Sequence, residues 1–133
     1  MIDHITLPVS NLERSIRFYT AALAPLGYGL TSSAESRIQK GAGFGVKDVE
    51  GLRDFWLKED IESVRGSKYC IAFKAENKDI VEQFHHAAIS AGGKDNGAPG
   101  YRPQYHKDYY AAFVYDPDGY NIEVIYDDFE IQS

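Results

Sequence analysis

The 133-residue chain is similar to itself at a fixed offset of 66 residues, and this duplication constrains its fold more than any single motif does. His4-Ile5-Thr6-Leu7 falls on Cys70-Ile71-Ala72-Phe73. Without a gap, Asn11 then falls on Asn77, Glu13 on Asp79, Phe18 on Phe84, Ala21-Ala22 on Ala87-Ala88, Leu23 on Ile89 and Gly27 on Gly93. Each matched stretch is a strand-like run, a helix-like run and a glycine stop. Internal similarity is read before local detail because it decides the architecture. Two copies are too few for a solenoid. They predict two halves packed about a pseudo-twofold axis, an arrangement that often places a pocket where the halves meet.

Local patterns fill in each half. Met1 to Leu7 reads as a strand, with Ile2, His4 and Thr6 on one face and Asp3, Ile5 and Leu7 on the other. Ser10-Asn11-Leu12-Glu13 has the S-x-x-E form of a capping box. Leu12, Ile16, Tyr19 and Leu23 follow at helical spacing, so a helix is predicted over 11–24, ended by Pro25 and Gly27. Strand-like segments follow at about 27–33, 36–46 and 53–59, with Gly41, Gly43, Gly45 and Gly51 at bends or turns. The second half predicts a strand at about 68–75 and a helix at about 77–91 closed by Gly92-Gly93. The stretch from Gly97 to Asp108 reads as a loop or a short irregular strand. Tyr109 to Tyr115 and Tyr120 to Tyr126 read as a hairpin around the turn Asp116-Pro117-Asp118-Gly119. Asp127 to Ser133 reads as a frayed acidic tail.

Composition narrows the function classes. A chain of 133 residues, 44% of them apolar, suits one domain with a real core. The net charge is −6 and the 14 basic residues form no stripe, which argues against nucleic acid and anionic membranes as partners. No apolar run reaches the ~18 residues of a membrane span, and the opening Met1-Ile2-Asp3-His4 has no secretory pattern. The single cysteine, Cys70, makes no internal disulfide, so a cytoplasmic setting is expected. No G-x-G-x-x-G, Walker loop or G-x-S-x-G elbow occurs. Gly41-Ala42-Gly43-Phe44-Gly45 precedes no helix start and reads as a strand free to bend, not a phosphate cradle. The ten Tyr residues suit either pocket walls or strands.

Three segments together resemble the vicinal oxygen chelate superfamily, which includes glyoxalase I, extradiol dioxygenases and bleomycin resistance proteins. They are Ile2-Asp3-His4-Ile5, Leu12-Glu13-Arg14-Ser15 through Phe18-Tyr19, and Asp116-Pro117-Asp118-Gly119-Tyr120-Asn121-Ile122-Glu123. The resemblance covers nearly the whole chain and points to small single-domain glyoxalase-like members. It implies an α+β fold of two βαβββ modules, about 1–60 and 67–127 within one domain, 1–133, whose curved mixed sheets surround an open cup.

In metal-using relatives the ligands sit on the first and last strands of each module. The resemblance therefore implies His4 and Glu123 as ligands of a divalent metal (Zn, Ni, Fe, Mn or Co), residue types suited to an open site. Strand parity turns both away from the helix-packing residues Ile5, Leu7, Ile122 and Val124. The repeat places Cys70 opposite His4 and Leu57 opposite Glu123. Leucine binds no metal, and a thiol binds only as thiolate. Glu59, two residues on, and His106 are further candidates, the latter also as a base or substrate contact. His85 and His86, on the second helix, read as packing or surface residues.

Two functions follow. One is a metal-dependent lyase or isomerase acting on a small molecule with neighbouring oxygens, in which the metal acts as a Lewis acid and Glu123 as base. A dioxygenase fits less well, since chains of this length lack the extra domain of the large dioxygenases. The other is a metal-free binding protein of the bleomycin-resistance type, with Phe44, Trp56, Tyr105 and Tyr110 around a planar ligand. Arg37, Arg53 and Arg102 could meet a carboxylate. A homodimer is expected, because small domains gain stability from shared burial.

Overall fold

The structure, a computed structural model, describes residues 1–35, 40–47, 53–65 and 68–127. Arg37, Gly51, the start of the strand expected over 36–46 and the tail beyond Asp127 lie outside them. The chain runs β1 (Ile5–Val9), α1 (Leu12–Leu23), a 3-10 turn, β2 (Tyr28–Glu35), β3 (Lys40–Val46), β4 (Phe55–Glu59) and a short α2 (Ile61–Val64). It continues with β5 (Cys70–Lys74), α3 (Lys78–Ser90), β6 (Lys94–Tyr101), β7 (Tyr110–Tyr115) and β8 (Asn121–Tyr126). The strands form two four-stranded sheets of the same order, β1-β4-β3-β2 and β5-β8-β7-β6. In each, the first and last strands of the module pair in parallel and the rest antiparallel. This is the α+β arrangement of two βαβββ modules that the duplication implies.

Each helix begins where a side-chain oxygen relieves the unpaired amides of its first turn. Asn11 Oδ1 accepts from Arg14 N at 3.0 Å, and its repeat partner Asn77 accepts from Ile80 N at 2.9 Å. The cap of α1 is thus Asn11 and not Ser10 of the expected capping box, because the Ser10 hydroxyl donates across the molecule to Asp118. Helix α1 buries Leu12, Phe18, Tyr19, Ala22 and Leu23, and α3 buries Val81, Phe84 and Ala88. Within the stretch expected over Gly97 to Asp108 as a loop or short irregular strand, the residues after Tyr101 form the turn before β7, and those up to Tyr101 end the longer, irregular strand β6. The register of β6 shifts at Asp95/Gly97 and again at Gly97/Gly100, which breaks the alternation that would have revealed it.

Helices α1 and α3 and the helix-facing sides of both sheets enclose one core, containing Leu7, Val9, Ala42, Phe44, Phe55 and Leu57 from the first sheet and Ala112, Val114, Ile122 and Val124 from the second. Helix α1 packs on α3. Phe73 of β5 meets Phe55 at 5.4 Å and Tyr28 at 6.0 Å, ring centre to ring centre. Polar ties reinforce the join. Tyr19 donates to Asp116 at 2.5 Å, Arg14 pairs with Asp118 at 3.1 Å, and Tyr120 donates to Pro8 O at 2.8 Å. The halves therefore meet through their helix sides, and alternation leaves the opposite sides of the two sheets as open surfaces. No helix among the described residues is long and apolar enough to cross a membrane.

Candidate small-molecule site

The register defines one row of residues across the open side of each sheet. In the second sheet it runs Ala72, Glu123, Phe113, Gly97. In the first it runs Thr6, Trp56, Gly43, Ser32. Thr6 and Ala72 are repeat partners, so Trp56 is the counterpart of Glu123. The gapless offset slips by one residue before the last strands, and the expected counterpart, Leu57, lies instead in the core. Trp56 lies against β3, where a Cβ on Gly41 would stand 2.8 Å from its ring and one on Gly43 2.6 Å. The glycine run is the bed of an indole.

Glu123 sits at the centre of the polar part of the second sheet. Its Oε1 accepts from Asn121 Nδ2 at 2.9 Å and from the Cys70 thiol at 3.2 Å. Asn121 also contacts Cys70 Sγ at 3.1 Å, and its Oδ1 accepts from Asn96 at 2.9 Å. Burial pushes the Cys70 thiol up first, and the bond and charge of Glu123 push it further against a smaller pull from Asn121. The group is therefore a protonated thiol at neutral pH. Tyr109 belongs to the same neighbourhood: burial raises its phenol, followed by Glu123, Tyr105, Asp127 and Cys70. Across the row, Phe113 carries the Arg102 guanidinium 5.2 Å from its ring centre.

The other candidates are held elsewhere. His4 precedes β1, is exposed and pairs with Asp3 at 2.8 Å. The Glu59 carboxylate accepts from Leu12 N at 3.0 Å and so serves the start of α1. His106 pairs with Asp127 at 3.0 Å in the turn between β6 and β7, where Tyr105 is exposed and stacks obliquely on Tyr109. Phe44 and Tyr110 point to the helix side, contrary to expectation. Phe44 is fully buried beside Tyr19 and Phe55, and Tyr110 donates to Glu82 of α3 at 2.8 Å. Asn121, Asn96, Phe113 and Tyr109 were not foreseen. Asn121 had a usable signal, since it lies two residues before Glu123 on the same strand face.

A metal fits poorly on the donors of one chain. The structure joins Cys70 to Glu123 but leaves His4 and Glu59 with other partners. Among the described residues, no three His, Cys, Asp or Glu side chains gather as a ligand set. Cavities of about 340 and 410 Å³ lie at the starts of α3 and α1, and neither is lined by Glu123.

This arrangement coincides with a known superfamily. The profile of the Glyoxalase/Bleomycin resistance protein/Dioxygenase superfamily matches residues 1–124, and the chain belongs to it. A glyoxalase/bleomycin resistance protein from Albidiferax ferrireducens is 25% identical, with a TM-score of 0.71 over 94% of this chain and 97% of the other. A family enzyme from Burkholderia phytofirmans is 18% identical, with a TM-score of 0.70 over 94% and 97%. A glyoxalase I mutant from Zea mays is 24% identical, with a TM-score of 0.69 over 92% of this chain but 45% of its own. The last two likenesses concern the fold. No curated protein matches the chain.

Proposed function

We propose that the protein is a small-molecule-binding member of the superfamily, of the bleomycin-resistance type, whose ligand lies on the open side of the second sheet beside Glu123. The observation that carries this reading is the register. Where the second sheet has the carboxylate of Glu123, the first has the indole of Trp56, so the chain lacks the matching donor from its other module. Glu123 is meanwhile held by two neutral donors, an amide and a thiol. The test is metal analysis of protein purified without added metal. Far less than one equivalent is expected; a full equivalent that disappears in Glu123→Gln overturns the reading.

One observation favours a second reading, a metal-dependent lyase or isomerase. Cys70 and Glu123 share one face at 3.2 Å. Ionised, they would supply two donors to a Lewis-acid metal, with a His4 from a second copy as the third. A homodimer is proposed in either case. Strands β1 and β5 are outer strands of their sheets, and an outer strand's unpaired amides favour pairing with another chain. Ile5, which opens β1, and Tyr69, which precedes β5, are exposed. Sedimentation at rising concentration tests this, and a monomer throughout refutes it.

A further inference from the structure

One group on the open side of the second sheet has no function in holding Glu123. Arg102 follows β6 and is half-buried. Its guanidinium lies over Phe113, its Nη2 donates to Ala98 O at 2.7 Å, and its Nη1 to Tyr101 O at 3.4 Å. The seat is cleared by glycines. A Cβ on Gly100 would stand 3.0 Å from Nη1, and one on Gly97 3.2 Å from Nη2 and 2.8 Å from the Phe113 ring. A guanidinium has five donors and is always charged, so two carbonyls leave donors to spare. The ion pairs among the described residues are His4–Asp3, Arg14–Asp118, His85–Asp95 and His106–Asp127. Arg102 has no carboxylate partner among them, in a chain with 20 acidic residues. Holding a cation half out of water without a counter-charge is costly unless something else supplies one. Arg53 over Trp56, the corresponding pair on the first sheet, is exposed and is gripped by no carbonyl among the described residues.

We infer that Arg102 is a specificity-determining residue, which receives the carboxylate of an anionic ligand whose remainder lies along the row of Phe113 and Glu123. A planar fork already fixed by two carbonyls and a ring loses little freedom when a carboxylate engages it. The inference rests on the reading of this face as the ligand site, and it is independent of whether a metal is held.

The experiment uses the full chain with benzoate and its neutral analogue benzamide, followed by NMR shifts of the Arg102 side chain and the Phe113 ring. Benzoate is expected to shift both and to bind at least about tenfold more tightly than benzamide, a difference of ~1.4 kcal/mol. Arg102→Gln should abolish that preference, Arg102→Lys should keep part of it, and Arg53→Gln should leave it intact. Equal affinities at Phe113 would overturn the role of Arg102 while leaving the face as a binding site. If neither compound moves the Phe113 signals, the face reading fails and the inference with it. The comparison in the unsubstituted protein stands even if a variant does not fold.

Discussion

Replacing Tyr19 by Phe removes one oxygen from the join between the two halves and leaves its packing in place. The ring is fully buried against Phe18 at 4.9 Å and Phe55 at 5.0 Å, contacts a phenyl ring keeps. What is lost is the donor to Asp116, a carboxylate that is only 4% exposed. Asp116 Oδ1 accepts from Asp118 N and Tyr120 N, each at 2.9 Å, but among the described residues Oδ2 has Tyr19 alone, at 2.5 Å. Leaving a buried acceptor without a partner costs about 1–3 kcal/mol, towards the upper end for a charged one. That is roughly 5- to 150-fold in the folding equilibrium.

The cost depends on pH, and its sign follows from the environment of Asp116. Burial pushes this carboxyl above its ordinary range, while the Tyr19 hydroxyl and the two amides pull it back down. A carboxyl raised on folding binds its proton more tightly in the folded state. Its contribution therefore becomes more favourable as pH falls through the folded value and less favourable as pH rises. Without Tyr19 the carboxyl rises further. The difference between wild type and variant is then largest at neutral pH and narrows in acid. Burial and the Asp116 charge hold the Tyr19 phenol well up, so it stays a donor throughout this range. Urea titrations at several pH values, read by the fluorescence of the single tryptophan, measure it. An unchanged denaturant slope would show that the native fold survives. A loss below about 0.5 kcal/mol at neutral pH, the range of an ordinary surface change, or a loss that grows in acid, would refute the reasoning.

Three further outcomes are expected. Gly43→Ala drives a Cβ to within 2.6 Å of the Trp56 ring and 2.8 Å of Ser32 Oγ. It should cost about 1–3 kcal/mol by overpacking and shift tryptophan emission to the red; an unmoved emission maximum counts against the glycine bed. Asn11→Ala and Asn77→Ala should each cost about 1 kcal/mol in thermal or urea unfolding through loss of the helix cap, and no change in either contradicts the cap assignments. Glu123→Gln should speed alkylation of Cys70 by iodoacetamide at mildly alkaline pH, because it removes a charge that holds the thiol up. An equal or slower rate would show that the carboxylate does not act on the thiol.

The parts of the fold visible in the sequence are those fixed by short-range periodicity. Helices α1 and α3 emerged from apolar spacing, and the Asp-Pro-Asp-Gly turn closed where expected, with Gly119 at φ +89°. The parity of the last strand was also legible, since Ile122 and Val124 are buried while Glu123 is on the other side. What escaped depends on partners distant in sequence. Ser10 looks like a cap until Asp118, more than a hundred residues on, takes its hydroxyl. Glu59 looks like a ligand until Leu12 N claims it. Phe44 and Tyr110 look like pocket walls because an aromatic residue in a strand does not declare its face when the glycines and bulges beside it blur the alternation.

The one-residue slip between the copies changes what the two open sheet sides present. In a duplicated fold, each open sheet side inherits the same row, and the two rows have diverged by exchanging bulk for charge. The first sheet puts its large ring on the last strand, at Trp56, over the small residue Gly43. The second puts a carboxylate there, at Glu123, and moves its ring one strand over to Phe113, above Gly97. The glycines follow the rings, because a flat ring against a sheet requires the neighbouring strand to lack a Cβ. In the first sheet that exchange leaves an apolar shelf at Trp56. In the second it leaves a carboxylate and a half-buried guanidinium on either side of one ring, the combination from which a small polar ligand can be both oriented and selected.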